Sequence, residues 1–195
     1  MKKKAVFIDR DGTINRDVGY PSSYSMIDIY PYSFDAVKKV KEAGFLAVII
    51  TNQSGIGRGI IKEENLHDIH AKLNEEFERH GVSFDGIYYC PHYVYSKTEK
   101  FGKKCPCRKP NPGMGKQAAE DLNIDTSLSY MIGDKVEDLL FGININAVPI
   151  LVLTGYGQDS IKKLKELGIQ PGFVAKNLME AVEWITKQEK AASAS

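Results

Sequence analysis

The first apolar run of the chain and the residues that follow it read Lys4-Ala5-Val6-Phe7-Ile8-Asp9-Arg10-Asp11-Gly12-Thr13. The apolar part predicts a buried strand over 4–8. Asp9 and Asp11 lie two residues apart, so their carboxylates can point into the same space at the end of that strand. Gly12 lets the backbone turn sharply there. One carboxylate could attack phosphorus while the other moves protons, although such a segment alone is equally typical of a turn or a calcium loop.

The rest of the chain alternates short apolar runs with amphipathic patterns. We expect strands over 45–50, 86–89, 130–132, 150–153 and 173–175. Helices are expected over 33–43, 62–80 and 112–122, with Ser33 and Asn111 as caps, and further helices up to about residue 188. This alternation implies a parallel sheet with right-handed crossovers. We therefore predict an α/β, Rossmann-like doubly wound fold over 1–190, with a disordered tail over 191–195.

Composition limits the kinds of partner. The chain has 195 residues, which suits one domain, and its formal net charge of +1 gives no reason to expect a nucleic acid or a membrane. The apolar run after the amino-terminal lysines is too short for a signal peptide or a membrane span. We expect a cytoplasmic, monomeric protein that acts on a small molecule.

Polar residues follow other predicted strands at the edge where a parallel sheet binds its ligand. Thr51-Asn52-Gln53 ends the second strand, and Gly133-Asp134 ends a later one. Lys109 lies just before a predicted helix, where anions are favoured, and Asp134 is suited to magnesium. Asp138 lies one helical turn further and could hold Asp134 or Lys109. Taken singly, these residues are also typical of strand capping, a solvated lysine or acids that suit a helix dipole.

As an ordered set, these segments resemble the four motifs of the haloacid-dehalogenase superfamily, over roughly residues 5–155. The resemblance implies that Asp9 is a nucleophile and Asp11 a general acid and then base. It implies that Thr51 and Lys109 hold the phosphoryl group. Mg²⁺ would be held by Asp9, the main-chain carbonyl of Asp11, and Asp134, with Asp138 and Lys135 in support.

The three cysteines form a second cluster with one histidine. Cys90-Pro91-His92 and Cys105-Pro106-Cys107 offer four donors, the number that fills a tetrahedral zinc site. The residues between the pairs are polar and have little reason to fold without a metal. We predict a structural Zn²⁺ held by Cys90, His92, Cys105 and Cys107; the alternative is unliganded thiols and a satisfied histidine. His67, His70 and His80 lie in an amphipathic pattern and are expected at the surface.

Zinc loops of this kind resemble those of two branches of the superfamily, the heptose-bisphosphate phosphatases and the histidinol-phosphatase domains. Three segments favour the first branch: 9–15 with Asp17 and Tyr20, 51–59, and 107–114. Gly57 and Asn111 depart mildly from its pattern, which often has Ala and His there. The resemblance implies a sugar bisphosphate bound by polar residues of these segments: Asp17, Tyr20, Thr51, Asn52, Gln53, Ser54, Arg58, Arg108 and Lys109.

The segment between the motifs limits what can cover the site. The 57 residues from Asn52 to Arg108 are accounted for by a loop, a helix, a strand and the zinc loop, so we expect no large cap domain. Arg108 and Arg58 would then bind the part of the substrate that is not cleaved, with Arg108 favoured for its distal phosphate; the alternative is that both are solvated. Two other classes stay open, a phospho-accepting regulatory module and a zinc-stabilised binding domain. Asp11 speaks against the first and the near-neutral charge against a nucleic-acid-binding form of the second.

Overall fold

A computed structural model describes residues 2–193 of the chain. Within them, one sheet is built from β1 (Ala5–Ile8), β2 (Leu46–Asn52), β3 (Gly86–Cys90), β4 (Tyr130–Gly133), β5 (Val148–Val152) and β6 (Phe173–Ala175). All neighbouring strands are parallel, in the order β3-β2-β1-β4-β5-β6. The direction of travel across the sheet reverses after β3, as in a doubly wound fold. The predicted fold class is confirmed.

The helices cover both faces of this sheet. They are α1 (Ser33–Glu42), α2 (Ser54–Gly57), α3 (Glu63–Arg79), α4 (Gly113–Leu122), α5 (Val136–Asn144), α6 (Gly157–Glu166) and α7 (Leu178–Ser193). Two short 3₁₀ turns lie at Tyr24–Met26 and Thr126–Leu128. No helix within residues 2–193 is long and apolar enough to cross a membrane.

The central strand β1 shows how the two layers form. Val6 and Ile8 pack into a cluster with residues of α1, α3 and α7, whereas Ala5 and Phe7 pack into a second cluster with α4 and α5. Successive side chains of a strand point to opposite faces, so a continuous apolar run has to be covered on both sides. All four residues are fully buried, and β1 is the rigid support of whatever follows Ile8.

Three local predictions are corrected. Ser33 is the first residue of α1, not its cap, and its hydroxyl donates to the Ile14 carbonyl at 2.7 Å. Asn111 does not cap α4, since its amide donates to the Cys105 carbonyl at 2.8 Å inside the loop. The tail was expected to be disordered, but α7 continues through residues 191–193, where two alanines favour helix. The remaining part of that prediction, 194–195, lies outside the described residues.

The chain between β2 and α4 is short in regular structure. Among the described residues it contains α2, α3, β3 and a loop over 91–112, and no inserted cap domain. The carboxyl ends of β2, β1 and β4 therefore meet at an edge that is open to the surroundings. Asp9 follows β1, Thr51 lies near the end of β2, and Asp134 follows β4.

Candidate active site

A buried ion-pair chain occupies the centre of this edge. The Lys109 ammonium donates to Asp9 Oδ1 at 2.6 Å and to the Ile50 carbonyl at 2.8 Å, and it lies 2.6 Å from Asp138 Oδ1. Burial would lower the pKa of Lys109, but the Asp138 and Asp9 carboxylates hold it above its ordinary value. Burial raises the pKa of Asp9 to about 6, against the opposing effect of the Lys109 cation. The site thus places a fixed cation against a carboxylate at a strand end.

The backbone of Lys109 is tied to the sheet by Asn52. The Asn52 side chain accepts from the Lys109 amide at 3.0 Å and donates to the Lys109 carbonyl at 3.2 Å. This two-bond pairing is the one that a neighbouring strand would supply. Asn52 was predicted to bind substrate; its amide group is instead committed to the lysine, although the residue lines the same cavity.

Asp134 lies under the backbone of two turns. Its Oδ2 accepts from the Tyr156 amide at 2.7 Å, while its buried Oδ1 has no hydrogen-bond partner among the described residues. A Cβ added at Gly12 or Gly155 would come within 2.3 or 2.1 Å of Oδ2, so only glycine allows both turns to approach this closely. Burial and the nearby Asp9 raise the pKa of Asp134 to about 8.

Three carboxylates could share a cation here. Asp9, Asp134 and Asp138 each offer an oxygen within 4.8 Å of the others. Both oxygens of Asp138 are already engaged, one with Lys109 and the other with the Lys135 amide at 3.0 Å. Asp138 therefore contacts Lys109, which is one of the two alternatives predicted for it. The Asp134 oxygen without a hydrogen-bond partner is suited to bind a metal ion together with Asp9.

The Asp11 carboxylate is held by hydrogen-bond donors. Arg10 donates to both of its oxygens, Asn15 donates to Oδ1 at 3.0 Å, and Gln53 donates to Oδ2 at 2.9 Å. Burial would raise the pKa of Asp11, but the Arg10 cation and the bonds from Asn15, Arg10 and Gln53 keep it below its ordinary value. Gln53 also donates to Thr51 Oγ1 at 2.9 Å, which links the ends of β1 and β2.

Asp9, Asp11, Asp138 and Lys109 line one cavity of about 390 Å³. Every predicted substrate-binding residue except Arg58 lines it: Asp17, Tyr20, Thr51, Asn52, Gln53, Ser54, Arg108 and Lys109. Arg108 carries a buried Nη1 with no partner among the described residues. An unsatisfied guanidinium nitrogen beside a polar cavity is suited to an anionic ligand.

Arg58 takes a different position from the one predicted. Its guanidinium carbon lies 3.7 Å from the centre of the Tyr93 ring and 5.9 Å from that of Tyr20. Tyr93 belongs to the loop over 91–112, so Arg58 joins that loop to the rim of the cavity. This cation–π contact holds the guanidinium against the Tyr93 ring, and Arg58 is not among the residues that line the cavity.

Sequence reasoning missed three further residues of the cavity wall, Gly19, Glu137 and Tyr156. Tyr156 follows β5, and its position after a strand end was the signal that could have found it. Lys135, predicted only to support the site, lies 4.9 Å from the Tyr156 ring centre and donates to Asp17 at 3.0 Å. Burial would lower the pKa of Lys135, but Asp9, Asp134 and Asp17 hold it above its usual range.

The predicted metal donors of the loop converge. Cys107 Sγ lies 3.0 Å from Cys90 Sγ, 3.2 Å from Cys105 Sγ and 3.1 Å from His92 Nδ1. The four donor atoms lie within 4.8 Å of one another. Zinc bonds of about 2.0–2.3 Å place tetrahedral ligands about 3.5 Å apart, close to this arrangement. The hydrogen bond between the Cys90 and Cys107 thiols lowers the pKa of Cys107 to about 5 and raises that of Cys90, so one proton is shared within the cluster.

An aspartate after the first strand of a doubly wound sheet, a strand-end threonine, a buried lysine and a second strand-end aspartate define a hydrolase of the haloacid-dehalogenase type. A sequence model of the HAD-hydrolase-like family matches residues 106–181. That segment contains Lys109, Asp134 and Asp138, the part of the constellation that lies furthest from Asp9 in the chain.

Relatives and solved structures narrow the class. A curated D-glycero-β-D-manno-heptose-1,7-bisphosphate 7-phosphatase from Pasteurella multocida is 46% identical over 72% of this chain and 76% of its own. The protein of that name from Escherichia coli K12 is 41% identical over 77% and 80%. The structure of a D,D-heptose 1,7-bisphosphate phosphatase from B. bronchiseptica, complexed with magnesium and phosphate, is 29% identical and aligns with a TM-score of 0.83 over 95% of this chain and 99% of its own. The chain belongs to this heptose-bisphosphate phosphatase family of haloacid-dehalogenase hydrolases.

Proposed function

We propose that the protein removes the 7-phosphate of D-glycero-β-D-manno-heptose 1,7-bisphosphate by way of a phosphorylated Asp9. One observation carries the proposal: a single cavity is lined both by the Asp9–Lys109 pair and by Arg108, whose buried Nη1 has no partner among the described residues. The first pair suits the phosphate that is cleaved, and the guanidinium suits the phosphate that is kept. The names of the relatives support this substrate and its β configuration.

The carboxylates around Asp9 fit a magnesium ion. Asp9 and Asp134 would hold it together with the main-chain carbonyl of Asp11, and the orphaned Oδ1 of Asp134 supports this assignment. When bound, magnesium would offset the repulsion between the phosphate and the carboxylate that attacks it. A relative of similar fold was solved with magnesium and phosphate.

In the proposed mechanism, hydrolysis of the phosphate ester takes place in two steps. Asp9 attacks phosphorus, a bond forms between its oxygen and phosphorus, and the bond from phosphorus to the sugar oxygen breaks. Asp11 gives that oxygen a proton, while Lys109 and Thr51 hold the phosphoryl oxygens. In the second step Asp11 takes a proton from water, the water oxygen bonds to phosphorus, and the bond between phosphorus and the Asp9 oxygen breaks. Inorganic phosphate leaves, and the Asp9 carboxylate is restored.

The loop donors support a structural zinc ion. All four positions of a tetrahedral site would be filled by Cys90, His92, Cys105 and Cys107, which leaves no position for substrate. Arg108 and Lys109 follow directly in the chain. The proposed zinc would thus fix the segment that delivers both cations to the cavity.

A substrate panel with the parent protein tests the function. It contains the α and β anomers of the heptose 1,7-bisphosphate, fructose 1,6-bisphosphate and histidinol phosphate, with phosphate release measured with and without EDTA. We expect the β-heptose bisphosphate to have the highest kcat/KM, and EDTA to abolish turnover. A higher kcat/KM for histidinol phosphate would overturn the substrate, and no phosphate release from any compound would favour a phospho-accepting module.

A further inference from the structure

A completely buried arginine lies behind the proposed acid–base residue. Arg10 has 0% of its surface exposed, although it follows Asp9 directly in the chain. Its Nε and Nη2 donate to Asp11 Oδ1 at 3.1 and 2.9 Å, and Nη2 also donates to Asp11 Oδ2 at 2.7 Å. The fork of the guanidinium thus faces the carboxylate, which fixes both its distance and its plane.

The other side of Arg10 meets a histidine from α3. Arg10 Nη1 lies 3.1 Å from His70 Nε2, and His70 is 7% exposed, which corrects the prediction that it lies at the surface. Burial and the Arg10 cation lower the pKa of His70 to about 3. The ring is therefore neutral, and because guanidinium has no acceptor, His70 Nε2 must accept the bond from Nη1.

This contact limits how the guanidinium can turn. The guanidinium of Arg10 is planar. An acceptor at Nη1 and a carboxylate at Nε and Nη2 therefore fix the orientation of this plane. Without His70, a buried N–H would have no partner at that position, and Arg10 would gain by turning toward another acceptor. Asp11 would then lose its fork while keeping Asn15 and Gln53.

We infer that Arg10 and His70 are positioning residues for Asp11, and that His70 acts only through Arg10. This inference rests on the proposed role of Asp11 as general acid. A proton on Asp11 Oδ2 would replace bonds that this oxygen accepts from Arg10 Nη2 and Gln53, while Oδ1 keeps its bonds from Arg10 Nε and Nη2. Asp11 lines the cavity, so that proton is available to a substrate there. A carboxyl group without the fork samples other directions, and misdirection of a catalytic group lowers the rate even when binding is intact.

A purely structural role would predict a different pattern. A buried His–Arg–Asp line also joins α3 to the end of β1, so its loss could lower the amount of folded protein for every substrate alike. The acid step can be isolated, because kcat/KM reports steps up to the formation of phosphorylated Asp9. An alkyl phosphate needs a proton on its leaving oxygen, whereas p-nitrophenyl phosphate has a good leaving group and needs little help.

The experiment therefore measures one ratio in each variant: kcat/KM for an alkyl phosphate divided by kcat/KM for p-nitrophenyl phosphate. The alkyl phosphate is the one that the parent protein hydrolyses with the highest kcat/KM. His70→Leu keeps the volume and removes the acceptor, and His70→Gln restores an acceptor near the position of Nε2. Leu73→Ala, a buried change one turn along α3, is the matched control for lost stability. Asp11→Asn shows how far the ratio falls when the acid is absent.

We expect the ratio to fall about tenfold in His70→Leu, to stay within about twofold of the parent in His70→Gln and Leu73→Ala, and to fall by roughly 100-fold or more in Asp11→Asn. An unchanged or increased ratio in folded His70→Leu overturns the inference. If Asp11→Asn leaves the ratio unchanged, the proposed acid role itself has failed. Should His70→Leu not fold, His70→Asn takes its place, since its amide is too short to reach Arg10; a ratio equal to that of His70→Gln then overturns the inference.

Discussion

The carboxyl edge of the sheet and the loop over 91–112 are held in shape by different forces. At the edge, Asp9, Asp134 and Asp138 are almost completely buried. Asp9 and Asp134 follow strands whose side chains pack on both faces, and Asp138 lies in the first turn of α5. The loop has neither helix nor strand among its described residues, and its side chains are largely polar and partly exposed. The edge is therefore held by the core of the fold, whereas the shape of the loop is expected to depend on the proposed metal at its four donors.

Lys109 belongs to both regions. The chain reaches it two residues after the donor Cys107, yet its ammonium and its backbone bond to the sheet side, through Asp9, Asp138 and Asn52. Arg108 beside it has no such tie on its buried Nη1. The two regions can therefore be tested separately, one at the edge and the other in the loop.

The largest effect is expected at the centre of the edge. Asp9→Asn should abolish phosphate release, because a neutral amide cannot attack phosphorus, while the similar shape of the side chain preserves the fold. Phosphate release and thermal unfolding monitored by circular dichroism check both points. Turnover at the rate of the parent in this variant would show that Asp9 is not the nucleophile.

Loss of Arg108 should act on one phosphate only. A charge-assisted hydrogen bond contributes about 1.5–3 kcal/mol, so Arg108→Ala should lower kcat/KM for the bisphosphate roughly 10- to 150-fold. The effect on p-nitrophenyl phosphate, which has no distal phosphate, should be within about threefold.

Arg58→Ala is the matched control for Arg108, because this arginine is already stacked on Tyr93. It should change kcat/KM for either substrate by less than about threefold. Equal losses on both substrates in Arg108→Ala would place that residue at the reacting phosphate or in the fold, and a larger loss in Arg58→Ala would reverse the two assignments.

Replacing one of the four donors of the loop should lower both stability and activity. Cys107→Ser removes one of the four donors, and a shift of about 1 Å in the attached Arg108–Lys109 segment can cost up to about 100-fold in rate. Elemental analysis should find about one zinc per chain in the parent and much less in the variant. Lys97→Ala, an exposed change in the same loop, should alter neither quantity. Zinc-free parent protein with full activity would contradict this expectation.

The smallest expected effect is a coupling between magnesium and pH. In the metal-free protein the pKa values of Asp9 and Asp134 are raised to about 6 and about 8 by burial, above the ordinary 3.8. At these two carboxyl groups the folded state then binds protons that the unfolded chain has released, so their contribution to the free energy of unfolding falls as pH rises from about 4 to about 8. Magnesium needs the ionised carboxylates and therefore stabilises more at the high end of this range.

Thermal unfolding at pH 5.5 and pH 8, with and without magnesium, measures this coupling. Each additional kcal/mol of stabilisation at pH 8 should appear as about 2–4 °C in Tm. Asp134→Asn should lose most of the gain from magnesium at both pH values. A gain that is equal at the two pH values in the parent would show that these carboxyl groups do not exchange protons for the metal.

The sequence was sufficient for the parts of the site that are local. Asp9, Thr51 and Asp134 each end a strand, so the parallel sheet alone predicts that they meet. It was not sufficient for His70, whose partner Arg10 lies 60 residues earlier in the chain. Its signal was spacing: Leu66, Ile69, Leu73 and Phe77 form the buried face of α3, and residue 70 falls on that face. Arg58 shows the opposite limit, because a glycine-rich loop does not reveal which way an arginine turns.

The pairing of Asn52 with the backbone of Lys109 has a consequence for protein engineering. A side chain of the sheet recognises main-chain atoms of the loop and ignores which residues precede them. The segment 91–107 could therefore be exchanged for a shorter, metal-free connection, provided that Asn52 stays and the graft delivers a lysine in the same register. Such a chimera would keep a lysine ammonium beside Asp9 and would allow the residue at position 108 to be varied independently of a metal site.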